Sequence, residues 1–185
     1  MAGKRRNPDL MRMPSRQELL NVINKILNLE ERAFICFLYL TGARVSEICQ
    51  RVKKYQLEYA NIKGTPFLIV NNVYTEKRRT PVFRRVPIPL TKRESGFLKP
   101  FLDYVEHLGK DDVLFDFDRK KAWQIIRSKT YLFPHYLRHI RLTHLKIEHG
   151  FDALDLKQFT GWKDTRPAET YAHLDVKNIA EKMTK

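Results

Sequence analysis

The chain has 185 residues and a formal net charge of +14, from 35 Lys and Arg against 21 Asp and Glu. This length suits one domain with a single core, and the 43% hydrophobic content excludes a wholly disordered chain. The excess of positive charge favours a polyanionic partner, nucleic acid first and a membrane surface second. The alternative is a basic surface that serves solubility alone.

The cysteines and the N-terminus bear on the compartment in which the chain works. Cys36 and Cys49 lie in apolar helical patterns without CxxC spacing, which predicts free, buried thiols in a reducing compartment. No apolar run approaches the roughly 20 residues of a membrane span. The basic N-terminus also lacks the apolar region of a secretory signal. We therefore expect an intracellular, cytoplasmic protein.

The first quarter of the chain shows the pattern of three helices. Residues 1–14 are basic and broken by prolines, which is typical of a tail or a linker remnant. Ser15 and Glu18 form a capping box at the start of the first helix. A second, almost wholly apolar helix over 33–40 is predicted to lie in the core. A third, short helix follows, with Arg44 in its first turn.

The pattern changes to that of strands between Phe67 and Pro89. Two stretches rich in β-branched and aromatic residues, FLIVNNVY and VFRRVPIPL, flank the cationic segment TEKRRT at 75–80. The simplest account is a small antiparallel sheet at the edge of a helical domain.

Helical patterns resume after the strands. Thr91 and Glu94 have the spacing of a second capping box, and Asp118 can cap the next helix. A long helix is predicted from Pro134, which suits a first helical position, to Gly150, which suits a helix end.

The C-terminal part is predicted to hold three more short helices. Two lie on either side of Gly161-Trp162, and the last runs over 176–183. The fold class is therefore mainly α with a small antiparallel β-sheet, in one domain.

His135 and Arg138 stand three residues apart on the long helix and share one of its sides with Leu142 and Leu145. Another side carries residues that we expect to meet the core, namely Leu137, Ile140, His144 and Ile147. A helix that is apolar on two sides is largely buried, so His135 and Arg138 are predicted to line a cleft. The alternative is an ordinary solvated pair.

Arg44 is a second candidate for binding a phosphate. It lies where free backbone N–H groups and the helix dipole favour anions, and its guanidinium can form two parallel hydrogen bonds. The alternative is an ion pair with Glu47, worth a few tenths of a kcal/mol at a surface. The two are compatible, because Glu47 could orient Arg44 as a supporting carboxylate.

The six histidines raise the question of a metal site. His135 and His139 are four residues apart, but the segment lacks the glutamate of HExxH zinc enzymes. No cysteine cluster supports a structural zinc. We predict no metal and no cofactor.

Five motifs, in this order, resemble those of the catalytic domain of tyrosine recombinases, the phage-integrase and Xer-type family: TGARVSEI, a lysine-bearing hairpin, PHYLRH, TGW and TYAHL. The resemblance covers about 15–185 and implies the DNA breaking–rejoining fold of that family. It also implies a site-specific recombinase or integrase. In that chemistry a tyrosine cleaves a DNA phosphodiester to a 3′-phosphotyrosine and religates it to another strand, without metal or ATP.

The resemblance implies a role for each matching residue. Tyr171 would be the nucleophile, while Arg44 and Arg138 would neutralise charge on the five-coordinate phosphoryl transition state. His135 would accept the proton of Tyr171 or donate to the phosphate. Lys77 would be the general acid for the departing 5′-oxygen.

Trp162 departs from the commonest family pattern, which has histidine at this position, although some members have tryptophan. The indole N–H donates one hydrogen bond and cannot exchange a proton. Trp162 can therefore pack beside Tyr171 and hydrogen-bond the phosphate, which leaves proton transfer to His135 and Lys77. The alternative interpretation is a core aromatic.

Clustered cations elsewhere are predicted to bind double-stranded DNA, mostly through its phosphates. They are Arg51, Lys53, Lys54, Arg78, Arg79, Arg84, Arg85, Arg119, Lys120, Lys121, Arg127 and Lys129. In much of the family the C-terminal segment docks on a neighbouring protomer on DNA. The alternative is that it packs on its own domain.

Full-length members of the family usually carry a separate helical DNA-binding domain before the segment that this chain resembles. Here about 14 residues precede it, so we expect either an excised catalytic domain or a minimal enzyme, with weaker and less site-specific DNA binding. Two other functions stay open: relaxation of DNA like that of type IB topoisomerases, and a non-catalytic DNA-binding module.

Overall fold

A computed structural model describes residues 13–75 and 82–175. In these ranges the chain forms α1 (Arg16–Ile23), α2 (Leu29–Thr41), α3 (Val45–Ile48), β1 (Leu57–Ile62), β2 (Thr65–Thr75), β3 (Val82–Pro89), α4 (Ser95–Glu106), α5 (Arg119–Thr130), α6 (Pro134–His149) and α7 (Ala153–Thr160). Two 3₁₀ helices, Lys54–Gln56 and Arg166–Asp175, complete the order. The predicted class, mainly α with a small antiparallel sheet, is confirmed. No helix in the described ranges is long and apolar enough to cross a membrane.

The core is built around α2. Every side chain of this helix over 33–41 is buried, as its apolar sequence predicts. The side chain of Asn28 accepts a hydrogen bond from the N–H of Glu31 and so caps the start of the helix. Gly42 ends it in the left-handed conformation, with φ at 55°. A Cβ there would lie 3.2 Å from the ring of Phe159, so glycine also allows α7 to pack closely.

The sheet has three antiparallel strands in the order β1-β2-β3. The predicted pair is β2 and β3, whereas β1, which pairs Leu57 with Val70, was not predicted. Most positions of β1 are exposed, and its sequence LEYANI shows no strict alternation of apolar and polar residues. The predictions for Lys77, Arg78 and Arg79 concern the turn at 76–81, which lies outside the described residues.

Two of the three predicted N-terminal caps are confirmed. Ser15 and Glu18 form the predicted capping box of α1, and the side chain of Asp118 accepts from the N–H of Lys121 at the start of α5. The box at Thr91 and Glu94 is wrong, because the fully buried carboxylate of Glu94 is used for ion pairs instead.

Most of α6 is buried, as the sequence predicts, but its last turn is not. Leu137, Ile140 and His144 are buried, whereas Ile147 is 56% exposed. The prediction for Ile147 is wrong because the helix leaves the core from that position to Gly150.

The segments beyond α6 are helical around the Gly161-Trp162 turn. α7 is confirmed, and the helix after the turn is a 3₁₀ helix that ends at Asp175. The predicted helix over 176–183 lies outside the described residues. Both cysteines are free and buried, and burial raises the pKa of each thiol to about 12.

Candidate active site

Three arginines from separate elements converge on the carboxylate of Glu47, which is fully buried. The shortest nitrogen–oxygen distances to it are 2.6 Å from Arg44, 3.3 Å from Arg84 on β3 and 3.6 Å from Arg138 on α6. Burial opposes ionisation of Glu47, but Arg84 and Arg138 outweigh it and hold the pKa of Glu47 below its ordinary value. A charged carboxylate thus fixes three guanidinium groups that are far apart in sequence.

Arg44 lies at the N-cap of α3 rather than in its first turn, so its predicted position was wrong by one residue. Its backbone N–H donates to Glu47 at 3.0 Å. The ion pair with Glu47, which was the alternative interpretation of Arg44, is present and is largely buried. This pair orients the guanidinium instead of leaving it free on the surface.

Arg138 is held on three sides and is only 5% exposed. Its Nη1 donates to the carbonyl oxygen of Gly42 at 2.6 Å, and the centre of its guanidinium lies 5.9 Å from the ring of Trp162. Burial lowers the pKa of Arg138 to about 10, and Arg44 and Arg84 act in the same direction while Glu47 opposes them. The group is therefore a rigid cation near neutral pH.

The arginine cluster has spare hydrogen-bonding capacity. Nη2 of Arg138 and Nε of Arg44 are buried without a hydrogen-bond partner in the described part of the chain. A buried donor without a partner costs about 1–3 kcal/mol. The single negative charge of Glu47 also does not balance the three positive charges of Arg44, Arg84 and Arg138, and the remaining repulsion is a second cost. An anion bound at this cluster would relieve both costs.

Tyr171 reaches the same place from the 3₁₀ helix over 166–175. Its hydroxyl oxygen lies 2.8 Å from Nδ1 of His139 on α6, and its ring stacks on that of Trp162 with centroids 6.5 Å apart. The side chain is 5% exposed. Burial raises the pKa of the Tyr171 phenol above its ordinary value, and nearby Arg138 opposes this shift. The phenol is thus neutral near pH 7 and must lose a proton to act as a nucleophile.

Five of the six predicted catalytic residues line one cavity of about 360 Å³: Arg44, His135, Arg138, Trp162 and Tyr171. His135 is exposed at its rim. The sixth, Lys77, lies outside the described residues. The cavity joins four segments, which are the start of α3, α6, the turn after α7 and the 3₁₀ helix that carries Tyr171.

A second cavity, of about 590 Å³, shares Arg44, His135 and Arg138 with the first. It continues along α5 to Arg119, Lys120 and Trp123. Trp123 is 50% exposed, and it stands between the cations of α5. A cationic groove thus leads away from the arginine cluster.

His139 was missed as a site residue by the sequence analysis, which weighed it only as a metal ligand. Its contact with Tyr171 joins residues 32 apart in sequence, which no local pattern reveals. The available signal was the four-residue spacing from His135, which places both histidines on one side of α6.

Arg84 does not lie on the surface, where the sequence analysis expected a DNA-binding cation. It is 8% exposed, pairs with Glu47 and donates to the carbonyl oxygen of Phe159. The alternation of β3 points Arg84 inward and Arg85 outward. Arg84 therefore belongs to the scaffold of the site.

The other predicted DNA-binding cations differ in exposure. Seven are exposed: Arg51, Arg85, Arg119, Lys120, Lys121, Arg127 and Lys129. Lys53 and Lys54 are half-buried, and Lys54 donates to the carbonyl oxygen of Leu108 at 2.6 Å. Of these exposed cations, Arg119 and Lys120 line the groove that also contains Arg44 and Arg138. Among the residues at 13–75 and 82–175, no cluster of His, Cys, Asp and Glu could hold a metal ion.

Comparison with known proteins places the chain in a family. Residues 11–178 match the model of the phage integrase family. The chain belongs to this family. Within it, the tyrosine recombinase XerA of Pyrococcus furiosus is 28% identical over 177 residues, which cover 89% of this chain and 57% of that protein. XerD of Staphylococcus aureus is also 28% identical, over 188 residues that cover 93% of this chain and 60% of the relative.

Solved structures of phage-integrase family proteins share the fold. The crystal structure of XerA recombinase superimposes with a TM-score of 0.61 at 22% identity, covering 94% of this chain and 65% of that one. XerH site-specific recombinase bound to difH substrate gives a TM-score of 0.58 at 21% identity, with coverage of 92% and 53%. The catalytic domain of bacteriophage HP1 integrase gives 0.54 at 18% identity, with coverage of 93% and 94%. The predicted tyrosine-recombinase catalytic-domain fold is thereby confirmed.

Proposed function

We propose that residues 15–185 form the catalytic domain of a site-specific DNA recombinase or integrase, with residues 1–14 as a tail or linker. The observation that carries this proposal is the shared cavity of Tyr171, Arg44 and Arg138, in which a neutral phenol faces buried guanidinium donors. The net charge of +14 supports DNA as the anion. The names of the curated relatives, XerA and XerD, support strand exchange as the reaction.

The scissile phosphate would bind between Arg44 and Arg138. Their guanidinium groups are already fixed by Glu47, so little reorganisation accompanies binding. The unpartnered Nη2 of Arg138 would donate to a non-bridging oxygen, and the indole N–H of Trp162 would add a further donor. Exposed His135 would approach the phosphate from the rim.

Tyr171 would attack the phosphorus in line with the 5′-oxygen. A phosphorus–oxygen bond to the tyrosine forms as the bond to the 5′-oxygen breaks, which gives a 3′-phosphotyrosine and a free 5′-hydroxyl. Lys77 would protonate the departing oxygen. Because one phosphodiester replaces another, religation to a second strand needs no ATP.

The proposal extends to assembly on DNA inside the cell. By similarity with relatives that act as recombinases, we infer that copies of this chain associate on DNA through the C-terminal segment. Cations on α5, chiefly Arg119 and Lys120, would contact the DNA beside the scissile phosphate.

Covalent trapping tests the reaction. Wild-type protein incubated in EDTA with nicked duplexes of random sequence is expected to form a protein–DNA adduct that resists SDS. The adduct should disappear in Tyr171→Phe and persist in the control Tyr55→Phe, whose side chain is 53% exposed. Tight DNA binding by the wild type without any adduct would contradict catalysis. Relaxation of supercoils without exchange between two duplexes would favour a topoisomerase-like function.

A further inference from the structure

His139 makes the contact to the Tyr171 hydroxyl that the proposed reaction leaves without a role. Its Nδ1 lies 2.8 Å from the phenolic oxygen, and the two ring centroids are 4.9 Å apart. The histidine is half-buried on α6, directly after Arg138. A base that removes this proton must lie about 2.6–3.2 Å from the phenolic oxygen, and His139 meets that condition.

The two histidines of α6 occupy different parts of the site. His135 is exposed and lines both the Tyr171 cavity and the groove that runs to α5. His139 lies one helical turn further on; it lines the Tyr171 cavity but not the groove. His135 therefore borders the cationic groove as well as the Tyr171 cavity, while His139 contacts the Tyr171 hydroxyl itself.

We infer that His139 is the proton acceptor for Tyr171, a role that the sequence resemblance gave to His135. The inference rests on the proposed function, since it requires Tyr171 to be the nucleophile. Nδ1 accepts the phenolic proton as the tyrosine oxygen bonds to phosphorus, and the 5′-oxygen leaves with a proton from Lys77. In religation the proton returns from Nδ1 to the departing phenolic oxygen. Nδ1 must be unprotonated at the start, with the ring proton on Nε2.

A positioning role and a proton-transfer role of His139 predict different cleavage rates for the same substitutions. In His139→Asn the side-chain amide lies near the place of Nδ1, so it can hold the hydroxyl but cannot take up its proton. If His139 accepts the proton, His139→Asn and His139→Ala should both slow single-turnover cleavage by about 100-fold or more. If His139 only positions the hydroxyl, His139→Asn should cleave near the wild-type rate.

Chemical rescue gives an independent readout, because a misfolded variant could not be restored by a more acidic nucleophile. A fluorinated tyrosine at 171 has a more acidic phenol than tyrosine in the same buried place, so its attack depends less on a base. It should restore cleavage in His139→Asn by about 10-fold or more. A substrate with sulfur in place of the 5′-oxygen, whose leaving group needs no acid, should not restore it. The same thio substrate should rescue Lys77→Ala, which serves as the matched control.

The outcomes separate this inference from the proposed function. No adduct with wild-type protein would overturn the recombinase proposal itself. An adduct with wild-type protein, together with near wild-type cleavage by His139→Asn, would overturn only the role of His139. Failure of the fluorinated tyrosine to rescue His139→Asn, when it is active in the otherwise wild-type protein, would also overturn that role.

Discussion

Glu47 is the residue on which both proposed phosphate-binding arginines depend. Its carboxylate contacts Arg44, Arg84 and Arg138, and all its charge is buried. We expect Glu47→Gln, which keeps the shape and removes the charge, to slow cleavage by about 100-fold because the guanidinium groups shift. The free energy of unfolding should fall by about 3–5 kcal/mol, since buried arginines lose their counter-ion.

Single-turnover adduct formation and urea unfolding measure these two effects. Glu58→Gln is a suitable control, because the pair of Glu58 with Arg85 is exposed and its loss should cost no more than about 1 kcal/mol. Equal behaviour of the two variants would show that Glu47 does not organise the site.

Single residues differed in how far the sequence could place them. Arg44, Arg138, Trp162 and Tyr171 stand in motifs with fixed spacing, so their meeting at one cavity was predictable from the family resemblance. The contact of His139 depends on how α6 packs against a segment 32 residues away. A charged residue in a strand usually lies at the surface, and the sequence around Arg84 gives no sign of burial. Arg84 is buried because it pairs with Glu47, which the fold brings close to it.

At the scale of elements, the end of α7 packs on the last residue of β2 through Gly161. This glycine has φ at 70°, and a Cβ there would lie 2.7 Å from Oγ1 of Thr75, the last residue of β2. The end of β2 and the turn that carries Trp162 therefore meet at one close contact. Movement of either element would displace residues of the site.

Gly161→Ala should disturb this contact. The left-handed backbone alone costs about 1–2 kcal/mol for an L-residue. The clash with Thr75 should add about 1–3 kcal/mol and slow cleavage. Gly150→Ala provides the control, because Gly150 has φ at 68° with nothing within 4 Å of its Cβ position. Equal loss of unfolding free energy in the two variants, measured by urea titration, would argue against the close packing.

Local signals explain why the helices were easier to predict than the sheet. The caps at Ser15 and Asp118 use side chains within three residues of the N–H groups that they bind. β1 depends on its pairing with β2, and its own six residues carry little pattern. Glu94 has the spacing of a cap, but distant arginines recruit it into the core, and this preference is invisible in the local sequence.

At the scale of the whole molecule, a second buried carboxylate joins three helices. Glu94, at the start of α4, pairs with Arg16 of α1 at 2.9 Å and with Arg141 of α6 at 2.9 Å. Arg16 also pairs with Glu148 at 2.8 Å. Burial opposes ionisation of Glu94, but Arg141 and Arg16 outweigh it and hold its pKa below the ordinary 4.5. This network ties α1 to α4 and α6.

Glu94→Gln should therefore destabilise the fold in a pH-dependent way. Folding lowers the pKa of Glu94, so its ion pairs give their full stabilisation above about pH 4.5, the ordinary pKa of a glutamate. This stabilisation is lost as the pH falls through the lower pKa of the folded state. At pH 7 the variant should lose about 3–5 kcal/mol of unfolding free energy, and the gap to wild type should narrow towards about pH 3. Urea titrations at both pH values measure this difference in unfolding free energy. Asp103→Asn, which breaks an exposed pair with Lys99, should change little, and a constant gap for Glu94→Gln would contradict the linkage.

The central claim is that Tyr171 becomes covalently joined to DNA. Because the Arg166–Pro167 bond resists trypsin, the protease releases Tyr171 in the peptide 164–177, which contains no other tyrosine. Mass spectrometry of the trapped adduct, trimmed with nuclease, should find a nucleotide 3′-phosphate on that peptide and on its tyrosine. A nucleotide on a peptide that carries any of the other seven tyrosines would contradict the account.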